Sequence, residues 1–192
     1  MPFELPALPY ARTALEPHIS AAALEAHHQG VHRGHIDTLA RLLPDSGLEE
    51  LALEELVRHA QGRLAEVAAE AWNHAFFWTC LSPRGGGEPR GALAELLARR
   101  YGDAAGFRAA FERMALALPG PGWVWLVQHP DGSPGVVATR GASTPAAGAD
   151  IPLLACDLWE HAYWQDHPDD RAAWLAAFWK VVDWDAVAKR LR

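Results

Sequence analysis

Asp157-Leu158-Trp159-Glu160-His161-Ala162-Tyr163 is the stretch around which the chain is organised. Its carboxylate and imidazole stand four residues apart, which puts Asp157 and His161 on one side of a helix or across a strand-to-loop corner. The apolar run Ile151-Pro152-Leu153-Leu154-Ala155-Cys156 leads straight into Asp157, so the carboxylate is expected at the end of a buried strand. A buried aspartate beside Trp159 needs a cation or several donors to offset its desolvation. A bound metal is one such partner, which two upstream histidines would complete. A structural Asp–His hydrogen bond is the other reading.

The chain around this stretch has 192 residues, half of them apolar, enough for one large domain or two small ones with a sizeable core. A net charge of -7 argues against a phosphate backbone or an anionic membrane surface as partner. Cys80 and Cys156 are too few for a disulfide framework or a Cys-rich zinc site, and both sit in apolar runs that read as core. Met1-Pro2-Phe3-Glu4-Leu5-Pro6 has neither a basic region nor an apolar one, so no secretory signal is expected. No apolar run reaches membrane-spanning length. A soluble cytoplasmic protein is the expectation.

Upstream, Ser20 reads as the N-cap of a helix over 20–43 that Pro44-Asp45-Ser46-Gly47 breaks. As an α-helix it sets His27, Val31 and His35 on one face, with His28 and His32 on a neighbouring stripe. A short amphipathic helix is expected over 48–60. A longer one over 63–81 has Val67, Ala71, His74 and Trp78 on one face and Glu70 four residues before His74. Ser82-Pro83-Arg84-Gly85-Gly86-Gly87-Glu88-Pro89 reads as a linker and marks a domain boundary. Helices are expected over 92–101 and 104–118. Trp123-Val124-Trp125-Leu126-Val127 then reads as a strand, His129-Pro130-Asp131-Gly132 as a turn, and Val136-Val137-Ala138-Thr139 as the returning strand. Two helices, over 169–182 and 185–191, close the chain. The expected fold is α+β: an all-α N-terminal domain (1–88), then an α+β domain (89–192) with a small antiparallel sheet.

The chemistry in this frame is a mononuclear metal site. Three imidazoles and one carboxylate suit Fe or Mn at least as well as Zn, and a zinc hydrolase with an open position stays possible on the residue types alone. Inward faces favour His27 and His74 over a turn histidine such as His129. No Gly-rich phosphate loop follows a strand, since Gly85-Gly86-Gly87 follows a helix.

Several pieces, in order and nearly end to end, resemble the iron/manganese superoxide dismutases. They are Phe3-Glu4-Leu5-Pro6-Ala7-Leu8-Pro9-Tyr10, Ala71-Trp72-Asn73-His74 with Phe76 and Trp78, Gly122-Trp123 with Trp125-Leu126-Val127, the stretch from Asp157 to Tyr163, and Phe178-Trp179 with Trp184. The resemblance implies metal ligands at His27, His74, Asp157 and His161, with a bound solvent as the fifth. It implies a dry aromatic surround from Trp78, Trp123 and Trp159, and a homodimer in which Glu160 bonds the last histidine ligand of the other subunit, with Tyr163 close by. The activity implied is disproportionation of superoxide to oxygen and hydrogen peroxide.

Four positions depart from the family pattern. His35 replaces a tyrosine, Val31 a histidine, Glu70 the glutamine of the iron type and Phe77 a tyrosine. Family residues at positions 35 and 70 bond to each other, so His35 and Glu70 are expected to pair. Ala142 stands where the manganese type carries its glutamine; the polar group at position 70 is the iron arrangement, so the expected cofactor is Fe, with Mn as the alternative. A second reading is a metal-binding relative with weak or peroxidase-like redox activity.

Overall fold

The Ser20 hydroxyl accepts the Ala23 amide at 3.1 Å, the capping bond that satisfies one of the free N–H groups of a helix start. In the computed structural model, which describes residues 3–192, α1 (Ala21–Glu25) begins there. The helix expected over 20–43 does not stay α-helical. Ala26–His32 widen into a π-helix before α2 (Arg33–Leu42) resumes the α form. α3 (Leu53–His59) is shorter than expected. The Ser46 hydroxyl takes the Leu48 amide and Glu49 takes the Gly47 amide, local bonds that compete with a helix start at 48. α4 (Gly62–Trp78) is the long helix that carries Glu70 and His74.

α5 (Gly91–Tyr101) and α6 (Ala104–Ala117) follow, the latter capped by Asp103. The sheet comprises β1 (Gly122–Gln128), β2 (Pro134–Arg140) and β3 (Ile151–Asp157), all antiparallel in the order β2-β1-β3. β1 is buried at every residue, as a central strand covered on both faces must be. The chain closes with α7 (Glu160–Tyr163), α8 (Arg171–Phe178) and α9 (Trp184–Ala188). Asp170 and Asp183 cap the starts of the last two at 2.8 and 2.9 Å, and both helices end earlier than the sequence suggests, at Phe178 and Ala188. An N-terminal set of helices and a C-terminal α+β part are thus both present.

Two apolar clusters hold this together. Ile36, Leu39, Leu56, Val57 and Val67 form one among α2, α3 and α4. The larger is built on β1, with Trp123, Trp125, Phe107, Phe111, Trp174 and Phe178. Cys80 and Cys156 are free and fully buried in it, as expected, and burial pushes both thiols up.

Register then delivers Asp157 to the end of the sheet, opposite Trp123. Gly122 secures that exit: its carbonyl accepts the Leu158 amide at 2.9 Å, and a Cβ there would lie 2.2 Å from the Thr139 oxygen. The segment 82–89 is packed down, with Ser82 and Gly86 amides bonded to the Val181 and Val182 carbonyls at 2.8 and 2.9 Å.

Arg190 clamps the same region. Its guanidinium donates to the Leu153 and Thr79 carbonyls and the Thr79 hydroxyl at 2.8, 3.0 and 2.7 Å, and stacks over Phe76 at 4.5 Å. Hydrogen bonds from a charged group contribute about 1.5–3 kcal/mol each when their geometry is good. Arg190→Ala should therefore cost about 2–3 kcal/mol in denaturant unfolding, a loss that Arg190→Lys recovers only in part.

Candidate metal centre

Four elements converge on one carboxylate oxygen. Asp157 Oδ2 lies 3.1 Å from His27 Nε2 of the π segment, 3.7 Å from His74 Nε2 of α4 and 3.0 Å from His161 Nε2 of α7. The four ligand atoms all lie within 4.8 Å of one another. Metal bonds of about 2.1 Å opening at about 90–120° place ligand atoms about 3.0–3.6 Å apart, close to the three distances from Asp157 Oδ2.

Each side chain is held from behind. The Trp159 amide donates to Asp157 Oδ1 at 2.8 Å, and the Trp174 indole donates to the Asp157 carbonyl at 2.8 Å. His74 Nδ1–H donates to the Glu70 carbonyl at 2.7 Å, which leaves Nε2 as the free lone pair. His27 Nε2 and His74 Nε2 are buried with no hydrogen-bond partner among the described residues. Burial lowers the pKa of both imidazoles. Burial would raise Asp157, but His161 and the bonds from His161 and His27 outweigh it and hold the carboxyl well below its usual range. Two imidazoles with lowered pKa values, whose Nε2 atoms face an ionised carboxylate without a hydrogen bond, fit a bound cation.

Rings enclose the set. Trp78 meets His27 edge-on at 4.7 Å, Trp123 meets His74 at 5.2 Å, and Trp159 stacks on His161 at 5.7 Å. Phe77 stacks on His27 at 5.7 Å.

Glu70 and His35 stand beside the same cluster: one ligand atom each from His35, Glu70 and His74 lie within 4.8 Å of one another. No hydrogen bond joins Glu70 to His35, and both Glu70 oxygens lack a partner among the described residues. Burial, then the Asp157 charge, pushes Glu70 up to about 8, tempered by the Trp123 indole. Burial, then His161, pulls His35 down to about 4. Desolvation therefore prevails over the charge-assisted pairing that the residue types suggest. A cleft of ≈ 620 Å³ opens on His35, Glu70 and Trp159, and is lined also by Arg63, Arg140 and Ala142.

Glu160 is exposed, whereas Tyr163 is buried and accepts a bond from Arg171 Nε at 3.3 Å. Sequence reasoning missed His28 and His32, both buried. His28 Nε2 lies 2.8 Å from the Pro6 carbonyl, and His32 is bonded to two points of α4, the Ala71 carbonyl and the Trp78 indole. An α-helical wheel turns them off the ligand face; no sequence signal marked the π segment.

Replacing Asp157 removes the atom that all three imidazoles share. Asp157→Ala should abolish stoichiometric metal in elemental analysis and the metal-dependent rise in melting temperature. An anomalous-scattering peak at any other cluster would overturn the assignment.

Residues 2–82 match the family profile described as "Iron/manganese superoxide dismutases, alpha-hairpin domain", and residues 89–190 match the profile for the C-terminal domain. Among curated relatives, "Superoxide dismutase [Fe]" of Escherichia coli (strain K12) is 44% identical over 191 residues, covering 100% of this chain and 99% of the relative. The protein of the same name from Salmonella typhimurium is 46% identical over 191 residues, with the same coverage. That from Legionella pneumophila is 41% identical over 192 residues, covering 100% of both chains. With both halves matched in order and a His/Asp cluster where they meet, the chain belongs to the iron/manganese superoxide dismutase family.

Proposed function

We propose that this chain is an iron-dependent superoxide dismutase, with manganese as the alternative ion, held by His27, His74, Asp157 and His161. The observation that carries the reading is the convergence of three imidazole Nε2 atoms on the buried Asp157 Oδ2, two of them without another partner. Full-length similarity to proteins named as iron enzymes supports iron. The ion supplies the electron chemistry, taking an electron from one superoxide and giving it to another, so that oxygen and hydrogen peroxide are the products.

The chain's own residues then have distinct tasks. Trp123, Trp159 and Trp78 exclude water and strengthen the local field of Asp157. The cleft beside His35 and Glu70 is the route for an anion small enough to pass them. Arg63 pairs with Glu66 at 3.2 Å, whereas Arg140 makes no ion pair among the described residues. In a chain of net charge -7, a free guanidinium at that cleft draws in an anionic substrate. Peroxide formation consumes two protons, and Glu70 Oε and the His35 ring are the exchangeable groups nearest the cluster.

The protein works in the cytoplasm as two domains (1–88 and 89–192) and as a homodimer. Glu160 and Tyr163, on the element that carries His161, lie at the subunit contact, next to Trp164, which is 48% exposed. A monomer at micromolar concentration in light scattering would count against the dimer.

Superoxide decay measured on protein of known iron content tests the activity. The rate should scale with bound iron. Full iron with no acceleration over buffer would favour a metal-binding relative with other redox chemistry, the reading that the Glu70 carboxylate would explain. Arg140→Glu should lower kcat/KM by about 10-fold at low salt, an effect that shrinks as salt screens the charge. Glu70→Gln and His35→Tyr should be non-additive, with a coupling of about 0.5–3 kcal/mol on the rate scale; additive effects would separate the two residues.

A further inference from the structure

The buried histidine at the end of the π segment, and the π form itself, have no role in the site described so far. A π-helix bonds i to i+5, so residues five apart stack on one face. His27 and His32 are five apart and lie within Ala26–His32, and both are buried. On an α-helix, at about 100° per residue, they would diverge by about 140° and could not both face α4.

Geometry fixes the protonation of His32. Its Nδ1 accepts the Trp78 indole N–H at 3.1 Å, so Nε2 carries the hydrogen and donates to the Ala71 carbonyl of α4 at 3.1 Å. The same ring lies almost parallel to His74, 5.4 Å away with 19° between planes. Trp78, which it holds, abuts the His27 ring at 4.7 Å. One imidazole therefore touches one metal-ligating ring directly and the other through an indole, and ties the segment bearing His27 to the helix bearing His74.

We infer that His32 is a positioning residue for the metal centre: a neutral imidazole brace, aligned with His27 by the π-helix, that sets the angle between the His27 and His74 rings. The brace needs one acceptor and one donor on opposite sides of a small flat group. An amide supplies both, and a phenyl ring supplies neither. Ordinary core packing would need only the volume and plane of the ring. The inference rests on the assignment of His27 and His74 as ligands.

The test uses the iron-loaded full chain and two readouts besides activity: the rate at which excess chelator removes iron, and the line shape of the ferric electron paramagnetic resonance spectrum. His32→Phe should release iron about 10–100-fold faster, the range found when groups that orient metal ligands are lost, and should shift the line shape. His32→Gln should return both readouts towards wild type. If His32→Phe lowers only the melting temperature and leaves both iron readouts unchanged, His32 is a packing residue and the inference is overturned. Should His32→Phe fail to fold, Trp78→Phe decides, because it keeps an aromatic ring and removes the indole N–H. Faster iron release supports the brace, and unchanged release with an unchanged line shape overturns it. A wild-type chain that takes up no iron would instead overturn the ligand assignment, so the two failures are distinct.

Discussion

A fully buried, ionised carboxylate is the constraint to which the rest of the molecule answers. Burying a lone carboxylate costs several kcal/mol even after the protein relaxes, so Asp157 exists only with its partners in place. The Trp159 amide takes one oxygen and three imidazoles face the other. The backbone at this point is equally committed: Trp174 holds the Asp157 carbonyl and Gly122 holds the Leu158 amide. The strand end is thus held through both its backbone and its carboxylate, while the Nε2 atoms of His27 and His74 beside it stay without a hydrogen-bond partner among the described residues.

The four residues of the cluster come from four elements, and no two of them from the same one. The π segment brings His27, α4 brings His74, β3 brings Asp157 and α7 brings His161. An ion among them joins the helical and α+β parts, so binding free energy becomes folding free energy. The two buried carboxyl groups of this neighbourhood illustrate how environment divides labour. Asp157 is driven down by the imidazoles it faces, whereas Glu70, beside His74 with no donor bonded to it, is driven up by burial and by the Asp157 charge. The same kind of group is pushed in opposite directions by what surrounds it.

Much of this was legible in the residues. Ser20 announced a cap, the alternation of apolar runs with His129-Pro130-Asp131-Gly132 announced the hairpin, and the run into Asp157 announced a buried strand ending in a carboxylate. Helix ends were less legible. Ser46 and Glu49 draw local amides into turns, Asp170 caps α8 later than periodicity alone suggests, and α8 and α9 stop at Phe178 and Ala188, short of the expected ends.

By itself the sequence determined the fold class and the order of elements, because these depend on apolar periodicity and on turn residues that are local in the chain, whereas the four-residue cluster was expected only through the family resemblance. Only the tertiary structure decided what depends on groups far apart in sequence. His32 reads as an off-face histidine until the π-helix turns it towards Ala71 and Trp78, residues about 40 positions away. For Glu70 and His35 the sequence sets two opposed effects, desolvation of each group and attraction between them, and the residue types alone do not rank the two. In the folded chain both sit in a low-dielectric pocket where the neutral forms prevail. Burial is a property of packing, and packing is set by the whole chain at once.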